Sequence, residues 1–89
     1  MTLNAKEYTV LKAIETAHGL NGGDFTYFED VFEVLKDAKF PMTQNQLKGY
    51  FSVLVQKKLI MICKEYEQVN FLEAATEIFP NLYETCEIY

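Results

Sequence analysis

Asn4 before Glu7, Thr26 before Glu29, and Thr43 before Gln46 each set a hydrogen-bond-accepting side chain three residues ahead of a Glu or Gln at the head of a run of apolar residues with helical period. At that spacing each side chain bonds the other's backbone amide and satisfies orphan donors at a helix start. Three helices are expected, and the apolar period behind each pair agrees. The first gathers Val10, Leu11, Ile14 and Ala17 on one side and stops near His18, with Gly19 as its C-terminal cap. The second, over about residues 27–39, collects Tyr27, Phe28, Val31, Phe32, Leu35 and Ala38 opposite a polar face of Glu29, Asp30, Glu33, Lys36 and Asp37, and Phe40-Pro41 breaks it. The third turns Leu47, Tyr50, Phe51 and Leu54 inward with Val55 at the margin, and leaves Asn45, Lys48, Gly49, Ser52 and Gln56 outward.

Beyond Lys57-Lys58 the period shortens to that of strands. Residues 59–63 and 68–72 form a hairpin around Lys64-Glu65-Tyr66-Glu67, with Val69 and Phe71 facing the core and Gln68 and Asn70 facing water. Residues 19–24, rich in glycine, read as a loop, and 73–79 as a short helix ended by Pro80. The expected class is α+β, mainly α, with residues 1–80 as one domain and 81–89 as a tail. Leu82, Tyr83, Ile88 and Tyr89 are too apolar for an ordinary solvated terminus, so the tail should pack on the domain or on a second copy.

At 89 residues and 49% hydrophobic content, one core is affordable and two are not. Seven Phe and six Tyr must fill it in the absence of Trp. Cys63 and Cys86 have no CxxC spacing and only His18 to complete a metal shell, so neither metal nor cofactor is expected. Cys63 reads as a packing residue, Cys86 as an exposed thiol, and His18 as a cation favoured by the helix dipole in the last turn. The longest apolar run, residues 59–63, is far below the roughly 20 residues that span a bilayer. Residues 1–7 show no basic start leading into an apolar stretch, and a cytoplasmic location is expected. No Ser/His/Asp set, phosphate loop or ligand cluster appears, so neither an enzyme nor a small-molecule substrate is expected.

The net charge is −5, unevenly spread. Residues 38–64 hold Lys39, Lys48, Lys57, Lys58 and Lys64 and no acid, while the other residues hold three lysines and all thirteen acids. Such asymmetry points to a localised binding face.

Three helices, a tight turn between the second and third, and a hairpin directly after the third resemble the winged helix-turn-helix superfamily. The wording of residues 43–60, TQNQLKGYFSVLVQKKLI, is similar to the recognition helix and wing entry of multiple-antibiotic-resistance-type regulators, where a leucine and a polar pair lead into Gly-Leu-Ile. Lys58 stands at that glycine, and Glu65 and Glu67 stand where DNA-binding wings commonly carry Arg or Lys.

The resemblance implies a third helix in the major groove and a fold of three helices with a β-hairpin wing. Gln44, Asn45 and Gln56 suit adenine edges, Lys48, Lys57 and Lys64 suit phosphates, and Gly49 and Ser52 complete the face. Gly49 weakens a helix by roughly 1 kcal/mol relative to Ala, which close approach of another backbone would explain. Double-stranded DNA is the expected partner, with paired domains on two half-sites. The absence of Arg restricts this to non-specific or adenine-rich binding. The other expectation is a protein-interaction module without DNA binding, whose acidic second helix and acidic wing meet a basic partner; a homodimer is also open.

Overall fold

Asn4 opens α1 (Ala5–Leu20) as its spacing predicts: its Oδ1 accepts from the Glu7 amide at 2.8 Å, and Glu7 Oε1 accepts from the Asn4 amide at 3.1 Å. The structure, a computed structural model, describes residues 3–22, 26–63, 67–85 and 88. Val10, Leu11, Ile14 and Ala17 form the buried stripe. The helix runs through Gly19, and Asn21 closes it by donating its amide to Ala17 and His18. Asn21 is held there because its side chain donates to Asp30 Oδ2 at 3.0 Å.

Thr26 does not cap the second helix. With Tyr27 it forms β1 (Thr26–Tyr27), a two-residue strand of residue types that favour extended backbone. The capping function shifts by one residue: α2 (Phe28–Asp37) begins with Asp30 Oδ2 accepting from the Tyr27 amide at 3.2 Å. α3 (Gln44–Gln56) starts as expected, with Thr43 Oγ1 accepting from Gln46 N and Gln46 Oε1 accepting from Thr43 N. It buries Leu47, Phe51 and Leu54 and leaves Tyr50 half-buried.

α2 and α3 end alike. Phe40 N donates to Leu35 O and Lys39 N to Lys36 O; Leu59 N donates to Leu54 O and Lys58 N to Val55 O. Both are Schellman closures, in which the residue after the cap is left-handed. Lysine fills that position both times, at φ 62° in Lys39 and 60° in Lys58.

β2 (Ile60–Cys63) and β3 (Gln68–Phe71) make the expected hairpin, and β1 joins the far side of β3, so the antiparallel order is β1-β3-β2. Ile60 faces Phe71, Ile62 faces Val69, and Val69 faces Thr26. Asn70, expected to be wet, is 7% exposed, because β3 is the central strand and Gln68 Nε2 leans onto Asn70 Oδ1 at 3.4 Å. A 3-10 helix (Glu73–Glu77) and α4 (Leu82–Thr85) follow. Leu82 lies fully buried in the same core as Leu11, Leu35, Leu54 and Phe71, and Ile88 bridges Phe71 in parallel. Of the tail, Cys86 and Tyr89 lie outside the described residues. The fold is α+β and mainly helical, and the described residues form three principal helices and one three-stranded antiparallel sheet.

Candidate functional site

Thr43 and Leu47 set the rotation of α3, and at about 100° per residue the face opposite the core runs through Asn45, Gly49, Ser52 and Gln56. All four are exposed, as are Gln44 and Lys48. The outermost strip of the helix is thus polar and uncharged. Among the described residues nothing lies within 4 Å of where a Gly49 Cβ would stand, so none of them requires glycine there.

The cations are arranged otherwise than a phosphate track would need. Lys48 sits on the hairpin side of α3, its Nζ 6.0 Å from the centre of the Phe28 ring. Lys57 turns the opposite way, toward α1, where its Nζ donates to Glu7 Oε1 at 2.7 Å. That bond, with the Asn4 amide, holds the Glu7 carboxyl below its ordinary pKa. A phosphate contact by Lys57 would have to break this pair. Lys39 and Lys58 close different helices, and Lys64, with Glu65 and Tyr66, lies outside the described residues.

Beside α3 the surface becomes apolar. Val55 is 39% exposed, and on β2 Met61 is 39% and Ile62 37% exposed. Two grooves meet at Ile62. One, of about 210 Å³, has a floor of Phe28, Phe51 and Val69 with Lys48 and Glu67 at its mouth; the other, of about 390 Å³, is lined by Ser52, Val55, Gln56 and Ile62. Phe28 and Phe51 meet edge to face at 5.3 Å, which fixes the floor of the first. Ile62 and Met61 were not among the residues the sequence singled out. Their exposure follows from β2 being an edge strand, which depends on where β1 pairs.

His18 is not the dipole-favoured cation expected in the last turn of α1. It is fully buried, its ring centre 5.2 Å from that of Phe71, and neither ring nitrogen has a hydrogen-bond partner among the described residues. Burial pushes its pKa down, so the ring is neutral and the helix dipole gains nothing from it. Among the described residues no cluster of His, Cys, Asp and Glu is arranged to hold a metal, and no helix is long and apolar enough to cross a membrane.

Compared with known proteins, the chain matches no family model, no curated protein and no solved structure.

Proposed function

We propose that this chain is a winged helix-turn-helix domain that docks a protein partner through the face made by α3 and β2. The architecture is supported by the order of elements, with α2 and α3 joined by the short turn 38–43 and the β2–β3 hairpin following α3. Lys58 adds support, because it holds the left-handed conformation that glycine supplies freely at the matching position of multiple-antibiotic-resistance-type regulators. A cytoplasmic setting accompanies the proposal, in keeping with the free thiol of Cys63.

The partner class rests on one observation: exposed Val55 and Ile62 lie with Ser52 and Gln56 around a shared groove, and Lys48 lines the adjoining groove that also reaches Ile62. Apolar anchors with a polar rim are how protein interfaces are built. Duplex DNA is the second reading, favoured by the acid-free exposed face of α3 with Gly49 open to a close backbone. Against it, Lys57 is committed to Glu7 and only Lys48 projects from the exposed residues of α3 itself.

Selection from a display library of random peptides tests the choice. Peptides whose capture is lost in Ile62→Asp and kept in Lys36→Glu, on the far α2 surface, are the expected result. The protein reading is overturned if no such peptide emerges while a randomised duplex pool is retarded at about 50 mM salt by the wild type and not by Lys48→Glu.

A further inference from the structure

The hydrogen-bond register of the hairpin decides which backbone groups of β2 are left over. Leu72 N donates to Leu59 O at 2.9 Å, so the bonded pairs fall at Leu59/Leu72, Met61/Asn70 and Cys63/Gln68. The amides and carbonyls of Ile60 and Ile62 consequently point away from β3, toward the free edge of the sheet. Ile60 is 1% exposed and its edge is covered; Ile62 is open. Among the described residues no strand lies beyond β2.

Sheet edges are ordinarily guarded by a charge, a proline or a bulge. The residues of β2, Ile-Met-Ile-Cys, contain none of the charged or proline guards, and the ladder runs through all four pairs without a bulge. Beyond this edge lies the groove of Ser52, Val55, Gln56 and Ile62, on the side of the sheet that α3 covers. A strand laid against Ile62 would direct the side chain opposite Ile62 into that groove, and its neighbours in sequence to the other face beside Met61.

We propose that β2 is an acceptor edge, at which an extended segment of a partner protein, with alternating apolar residues and flanking acids, pairs with Ile62 as a fourth strand. The inference rests on the protein-docking reading above and gives it a geometry. Charge selects the occupant: residues 44–63 hold Lys48, Lys57 and Lys58 and no acid, while Glu7 already answers Lys57, leaving exposed Lys48 and Lys58 to meet acids. A second copy would bring the same lysines to the same edge, which disfavours self-pairing. Glu67, at the mouth of the neighbouring groove, limits the attraction on that side and places the acids of the partner toward Lys58.

The test uses amide hydrogen exchange on the full chain with a peptide enriched from the display library. In the free protein Ile62 N–H should exchange rapidly while Met61 and Cys63 N–H, bonded to β3, exchange slowly. Saturating peptide should raise Ile62 protection by about tenfold or more, and N-methylation of one peptide amide should weaken binding by about tenfold while its neighbours tolerate it. The methyl scan leaves the protein unaltered, so folding does not enter. Peptides that depend on Ile62 yet bind as helices, with Ile62 N–H still unprotected, overturn strand addition and leave protein docking standing. Ile62 protection that rises with protein concentration alone makes the occupant a second copy and overturns the acidic-segment proposal. If no Ile62-dependent peptide emerges, this proposal falls; DNA retardation that depends on Lys48 then removes the protein reading with it.

Discussion

Replacing His18 by phenylalanine is expected to stabilise the fold and flatten its response to mild acid. The wild-type ring is fully buried against Phe71, and neither nitrogen has a partner among the described residues. A buried unsatisfied polar group costs about 1–3 kcal/mol, and an apolar ring of similar shape removes that cost. The larger phenyl group returns part of the gain through tighter packing, leaving roughly 1 kcal/mol net, or about 4–8 °C in melting temperature for a domain of this size.

The acid response has its own sign. Burial lowers the folded pKa of His18 below 6.5 and outweighs an opposing pull from the Val69 backbone, which lies near the ring but outside good hydrogen-bond geometry. As pH falls below 6.5 the unfolded chain takes up a proton that the folded chain refuses, so stability present above that pH is lost toward the folded pKa. The slope is at most about 1.4 kcal/mol per pH unit. Glu7, lowered from 4.5, contributes only at more acidic pH. Thermal melts of both proteins at about pH 7, 6 and 5.5 would read the difference. A wild-type melting temperature that stays constant over that range, with His18→Phe no more stable, would refute the reasoning.

Three further substitutions probe the frame around the candidate face. Gly49→Ala, in open space on α3, should stabilise by about 0.8–1 kcal/mol in denaturant titration; no change would mean that the helix is not regular there. Lys58→Gly should be neutral or stabilising and Lys58→Val should destabilise by about 1–2 kcal/mol, because only the first accepts φ 60° without strain; equal midpoints for the two would count against the closure described for α3. Leu82→Ala should destabilise by about 2–5 kcal/mol if α4 belongs to the core, and a shift below about 1 kcal/mol would detach it.

What could be read from sequence was local. Asn4 and Thr43 are recognisable as caps because both halves of each bonded pair lie within one turn, and the period behind Thr43 places Leu47, Phe51 and Leu54 inward without reference to the rest of the chain. Thr26 has the same spacing to Glu29 and is nonetheless a strand residue, since its pairing with Val69 comes from a distant part of the sequence. With β1 hidden, the hairpin has no assigned centre or edge. The wetting of Asn70 is then misread and the exposure of Ile62 goes unseen. His18 is misread for the same reason: its place in the last turn suggests a cation served by the helix dipole, but Phe71 covers it; and the engagement of Lys57 by Glu7 across fifty residues is likewise invisible locally. The left-handed positions at Lys39 and Lys58 escape a search for glycine because lysine occupies them.

The smallness of β1 also bears on the order in which the fold assembles. The α1 and α3 turns and the β2–β3 hairpin close over short stretches of chain, whereas Thr26 meets Val69 only after a long loop has lost its freedom. Two rungs offset little of that cost until the hairpin offers a finished edge, so β1 is expected to form in the last steps of folding. Thr26→Val removes a buried hydroxyl that has no partner among the described residues and keeps the shape of the side chain. It should therefore slow unfolding while leaving the refolding rate unchanged, and an accelerated refolding limb would place β1 in the nucleus instead.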